Sequence, residues 1–85
     1  MALKDNFETQ SQRVTRAVVR LCPSCAVEFD NSKAPHGIRF RIMDGGTNLT
    51  SAYPEYLVSE VADWTEEKLN QIIESVTAGK VRAPR

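Results

Sequence analysis

Ile38-Arg39-Phe40-Arg41-Ile42 alternates apolar and charged side chains without a break, and the chain then runs through Met43 into Asp44-Gly45-Gly46. Successive side chains on a strand point to opposite faces, so Ile38, Phe40 and Ile42 go inward and the two arginines outward. Glycine supplies the positive φ angles that tight hairpin turns need. The pair of signals demands a half-buried antiparallel strand that turns straight back. The returning strand is expected over about 47–53, ended by Tyr53-Pro54, because proline cannot donate to a ladder. Residues 25–30 alternate as well, with Cys25, Val27 and Phe29 on one side and Ala26, Glu28 and Asp30 on the other. A sheet with one apolar face must be covered by another layer.

The cover is supplied by the two ends of the chain. Phe7, Val14, Ala17, Val18 and Leu21 are spaced by steps of three, four and seven, which trace one stripe of a helix. Asp5 with Glu8 fits a capping box at its start. Pro23 ends it, since the residue before a proline is pushed out of helical conformation. A strand over 14–21, which holds three valines and a threonine, is the competing reading; helix is preferred. Arg13, Arg16 and Arg20 form a second, basic stripe. At the other end Leu69, Ile72, Ile73 and Val76 stand at i, i+3, i+4 and i+7. Its cap is either Asp63, with Glu66 three residues on, or Thr65, with Trp64 and Leu69 as a hydrophobic staple. Gly79 is the expected stop and 79–85 a frayed basic tail. Residues 55–62 read as a strand with Tyr56 and Val58 on one face, or as a helix with Leu57, Val58 and Val61 together; the strand is favoured. The expected fold is one α+β domain over 1–85: an N-terminal helix, a three- or four-stranded antiparallel sheet and a C-terminal helix, with both helices on one face.

Eighty-five residues, 41% hydrophobic and 26% charged, suffice for one small core and argue against disorder over the whole length. The net charge is zero, but residues 1–41 hold seven Lys/Arg against four acids and residues 42–85 hold four against seven, a split of +3 and −3. Such a split steers a polyanion to one side or helps two copies pair. No stretch approaches the ~20 apolar residues of a membrane span. The polar start, 1–12, lacks the apolar core of a secretion signal, so the expected compartment is the cytoplasm, with reduced cysteines.

Chemistry concentrates at Cys22-Pro23-Ser24-Cys25. Two thiols at this spacing hold one side of a zinc ion or form a redox disulfide. Leu21 to Cys25, followed by Glu28-Phe29, resembles one knuckle of a zinc ribbon. The resemblance covers fewer than ten residues, has Ala26 where a glycine often follows, and lacks a second knuckle. His36 with an acid such as Asp30, or a second chain's cysteines, would have to complete the site. A redox thiol needs its first cysteine at a helix N-terminus. Here the pair follows a helix and precedes a strand, and the βαβ pattern of a thioredoxin or glutaredoxin is missing. The preferred reading has Cys25 as a small core residue and Cys22 at a helix end.

His36, between Pro35 and Gly37, stands at no spacing that implies a triad and reads as a solvated loop residue. Gly45-Gly46 lacks the further glycines, the lysine and the following helix of a phosphate loop. Helix, three strands, helix is the element order of double-stranded-RNA-binding domains, but their basic loop and helix-terminal lysines are missing and the net charge argues against a dedicated binder. The expectation is therefore a non-catalytic interaction or accessory domain that self-associates, a dimer being favoured, with Tyr53, Tyr56, Trp64, Arg39 and Arg41 as interface candidates. No cofactor is expected. The alternatives are a metal-binding or thiol-redox protein using Cys22 and Cys25, with His36 as a further ligand candidate, and a weak nucleic-acid binder through the basic half.

Overall fold

The amphipathic stripe at the start of the chain forms helix α1 (Phe7–Leu21) in a computed structural model that describes residues 6–51 and 53–83. Asn6 caps the helix, its Oδ1 accepting the Thr9 N–H at 2.7 Å; Asp5, expected in that role, lies outside the described residues. Cys22 ends it with extended backbone (φ −144°, ψ 91°), as its place before Pro23 requires. Val14, Ala17 and Val18 are buried, and so is Gln10, a polar residue on the apolar stripe. Gln10 is tolerated because its Oε1 accepts from Arg13 Nη1 at 2.7 Å, although its Nε2 finds no partner. Arg13 in turn donates to the carbonyls of Val61 at 3.1 Å and Trp64 at 2.6 Å. It is thus a strut between α1 and the turn after a later helix, not part of an open basic stripe.

Strand β1 (Cys25–Asp30) pairs antiparallel with β2 (Gly37–Asp44), Cys25 opposite Asp44 and Asp30 opposite Arg39. A short 3-10 turn, Asn31–Lys33, begins the connection. The alternation read from the sequence holds: Cys25, Ile38, Phe40 and Ile42 are buried, with Val27 and Phe29 packed against them. The opposite face carries Glu28 across from Arg41 and Asp30 across from Arg39. Gly45 and Gly46 both take positive φ, 57° and 89°, and close the hairpin to β3 (Thr47–Asn48).

The returning strand is far shorter than the expected 47–53. Side chains displace the ladder: Thr50 Oγ1 accepts the Ile42 N–H at 2.7 Å, and Asn48 Oδ1 accepts the Thr50 N–H at 2.9 Å. Ser51 then turns its N–H to the Val76 carbonyl at 2.7 Å, drawing the chain away from β2. It rejoins β2 at the other end as β4 (Tyr56–Leu57), opposite Gly37 and Ile38. Leu49 bonds to Ile42 within β2 and Val58 to His36 just before it, six residues apart, so both contacts lie on one edge.

The stretch 55–62, favoured as a strand, divides. After two strand residues it becomes helix α2 (Val58–Ala62), which buries Val58 and Val61. Helix α3 (Glu66–Val76) is capped by Thr65, whose Oγ1 accepts the Lys68 N–H at 3.1 Å, and buries Leu69, Ile73 and Val76. It ends before Gly79: Ala78 takes the left-handed conformation (φ 51°), its N–H bonds to Ser75 and that of Gly79 to Glu74. Nor does the chain fray from 79. Val81 is 3% exposed and its N–H bonds to the buried Thr77 hydroxyl at 3.2 Å; of the expected tail, Pro84 and Arg85 lie outside the described residues. The result is an N-terminal helix, a four-stranded antiparallel sheet and a C-terminal helix around one core, with α1 against β1 and β2 and α3 against α1.

Candidate functional site

The turn that links α1 to β1 presents two sulfurs together. Cys25 N–H bonds to the Cys22 carbonyl at 2.9 Å, which closes the four-residue turn and sets the two Cα atoms 5.4 Å apart. The sulfurs of Cys22 and Cys25 are paired as a disulfide across this turn. Their Cα separation lies within the range that disulfides favour. Cys25 points into the core at 6% exposure, whereas Cys22 is half-buried at the rim. Ser24 Oγ lies 3.5 Å from Cys22 Sγ.

The third group at this place is one that reading the sequence missed. Asp44 stands directly opposite Cys25 in the sheet, and its carboxylate and the two sulfurs all lie within 4.8 Å of one another. Among the described residues this is the one cluster of three side chains with metal-ligating atoms. Asp44 was read only as the first residue of a hairpin signal. The signal that finds it is register: alternation over 25–30 and 38–42 aligns the start of one strand with the end of the other. His36 does not belong here. It precedes β2, while Asp44 ends it, and eight residues of strand separate them by roughly 25 Å. Asp30 is five residues along β1 from Cys25, roughly 17 Å away.

The electrostatics of the cluster favour a cation. The C-terminal end of α1 carries partial negative charge from its last carbonyls, and the Asp44 carboxylate adds a full one. Both oppose an anionic sulfur nucleophile, which needs the opposite end of a helix or a basic neighbour.

The interface candidates separate into two groups. Arg39, Arg41 and Tyr53 lie on the outer sheet face: the Arg39 guanidinium stacks over the Tyr53 ring at 4.2 Å and donates to the Tyr53 carbonyl at 3.2 Å. Tyr56 and Trp64 instead pack on the core, edge to face at 4.9 Å, continuing the line Phe7, Phe29, Phe40, Tyr56. Burial pushes the Tyr56 hydroxyl pKa up, with Glu60 adding to the shift. Of the five arginines in the first half, all but Arg16 are engaged. Arg41 pairs with Glu28 at 2.7 Å, Arg39 with Asp30 at 3.8 Å, Arg20 with Glu66 at 2.5 Å, and Arg13 with backbone carbonyls. The Ser32 N–H holds the Asp30 carboxyl below its usual range, helped by the Ser32 hydroxyl and by Arg39 and Lys33.

A second feature lies beside β1. An open groove of about 690 Å³ runs between one face of α1 and that strand, with Phe7 and Phe29 as its apolar lining and Glu8, Ser11, Thr15 and Arg16 along the helix side. Among the described residues β1 pairs only with β2, so its other edge is open. No described helix is long and apolar enough to cross a membrane. No family profile, curated protein or solved structure matches the chain.

Proposed function

We propose that this chain is a non-catalytic interaction domain that self-associates as a dimer across the open edge of β1. The observation that carries the reading is the apolar groove beside that edge, whose rim charges complement their own two-fold image. Leu49 bonds to the carbonyl of Ile42, which turns the even residues of β2 toward β3 and the odd ones toward β1. Ala26, Glu28 and Asp30 therefore use their backbone groups on β2, and Val27 and Phe29 direct theirs outward. An exposed edge of this kind is a template for another strand.

The occupant is a second copy of the chain. Glu8 and Arg16 lie on the same face of α1, two turns and about 12 Å apart, and both are exposed. Among the described residues neither forms an ion pair. A two-fold axis across the groove sets Glu8 of each copy against Arg16 of the other, with the small Ser11 and Thr15 between them. Closed two-fold pairing of identical patches is the commonest way soluble chains assemble. A polyanion is a poorer partner, because Arg13, Arg20, Arg39 and Arg41 already have acceptors.

Sedimentation at micromolar concentration tests the reading, with a dimer expected. Arg16→Glu weakens association about tenfold by setting two like pairs at the seam, and Glu8→Arg/Arg16→Glu restores it. Val27→Pro removes the outward N–H together with a side chain packed on the core, and with circular dichroism confirming the fold it gives a monomer. A wild-type chain that stays monomeric at hundreds of micromolar, or a dimer indifferent to all three variants, rejects the proposal.

A further inference from the structure

We infer that Cys22, Cys25 and Asp44 form a reduction-gated site for one zinc ion, closed as long as the disulfide stands. The inference is independent of the dimer. It rests on the meeting of two sulfurs and one carboxylate oxygen within 4.8 Å, from three different elements of the fold: the end of α1, the start of β1 and the end of β2.

The donor set and its geometry select the metal. Thiolates favour soft and borderline ions, while the carboxylate is tolerated by zinc, which accepts S, N and O ligands in a tetrahedral site. A Zn–S bond of about 2.3 Å places two sulfurs of a tetrahedron about 3.8 Å apart. Once the disulfide is broken, the four-residue turn with its 5.4 Å Cα separation reaches that spacing by side-chain rotation alone. Asp44 closes toward them from the neighbouring strand, held in register by β1 and β2. Three protein ligands leave one position for water, because the cluster sits at the rim, with Cys22 and Asp44 half-buried. Ser24, 3.5 Å from Cys22 Sγ, supplies the outer-shell hydrogen bond such ligands commonly receive. The carbonyl end of α1 adds a favourable field for the cation.

The chemistry balances in two steps. A dithiol reductant exchanges with the Cys22–Cys25 bond: its two S–H bonds become one S–S bond, and the protein gains two thiols. Zinc then replaces the two thiol protons, which pass to solvent, while an Asp44 carboxylate oxygen supplies the third ligand. Oxidation by any disulfide of higher potential reverses the sequence and expels the ion.

The test uses the full chain, oxidised or reduced with a phosphine, titrated with zinc by calorimetry and with Co(II) by absorption. The reduced protein is expected to bind one ion per chain, with a thiolate-to-cobalt charge-transfer band. The oxidised protein binds at least about a hundredfold more weakly. Zinc raises the thermal midpoint of the reduced form alone, as a ligand specific to the folded state must. Asp44→Asn weakens binding at least tenfold, a loss no smaller than that from an outer-shell partner. Cys22→Ser removes the cobalt band, with far-UV circular dichroism confirming that both variants fold. Zinc binding that is equal in oxidised and reduced protein overturns the inference. So does undiminished affinity in Asp44→Asn, or one ion per two chains, which would assign coordination to two cysteine pairs with Asp44 idle.

Discussion

The two ends of the central β1–β2 pair are held by different means. At one end Cys25 faces Asp44, and the turn through Cys22 fastens α1 to the sheet through a covalent bond at the rim. At the other, Phe29 faces Phe40, Tyr56 stacks on Phe40 and Trp64 closes on Tyr56. The first end places few side-chain atoms in the core; the second buries large rings against Ile38 and the helices. Stability should therefore reside at the aromatic end and chemistry at the sulfur end. In a domain this small the Cys25–Asp44 and Phe29–Phe40 pairs are separated along only about 13 Å of strand.

Removing a ring from the aromatic end is the harshest challenge to that contrast. Phe40 is 3% exposed and touches rings on both sides, so Phe40→Ala loses its transfer energy and leaves a cavity between Phe29 and Tyr56. The expected cost is about 3–5 kcal/mol, read from the urea midpoint at constant slope. A loss below about 1 kcal/mol would mean that the aromatic end is not where the core is held.

The disulfide should matter less. It closes a turn with a sequence separation of only 3, and the entropy removed from the unfolded chain falls as the loop shortens. Reduction, or Cys22→Ser, is expected to cost about 2 kcal/mol at most. Denaturation with and without a phosphine measures it. If reduction destabilises as much as Phe40→Ala, the sulfur end is a structural staple and the contrast between the ends fails.

The same contrast explains what the sequence made legible. Strands β1 and β2 follow from an unbroken alternation, α1 and α3 from stripes at helical spacing, and these patterns survive because burial enforces them. What was lost lay where side chains compete with the backbone. Thr50 and Asn48 take ladder bonds that a returning strand would have made, and no periodicity reports that. Arg13 reads as part of a basic stripe, yet it holds two carbonyls of a segment about fifty residues away, and Gln10 is buried on the apolar stripe, where no apolar periodicity marks it. The cysteines were visible as a pair, but Asp44 came to them only through strand register. His36 was linked to them by residue type, and register rules that out.

The gentlest probe concerns the turn beyond the Phe29–Phe40 pair. Asp30 accepts the Ser32 N–H at 2.8 Å and faces Arg39, and these contacts hold its folded pKa below the ordinary 3.8. The unfolded chain therefore takes up this proton first as pH falls. The contribution of Asp30 is complete above its unfolded pKa and is lost as pH drops through the lower folded value. In Asp30→Asn the amide oxygen still accepts the Ser32 N–H but carries no charge. Near neutral pH the variant should be only slightly less stable, since Asp30 and Arg39 are partly exposed and 3.8 Å apart. Below pH 4 its urea midpoint should fall less steeply than that of the wild type, and the two curves should converge. Parallel acid limbs would show that the turn does not favour the ionised form, and that this end of the sheet depends on its rings alone.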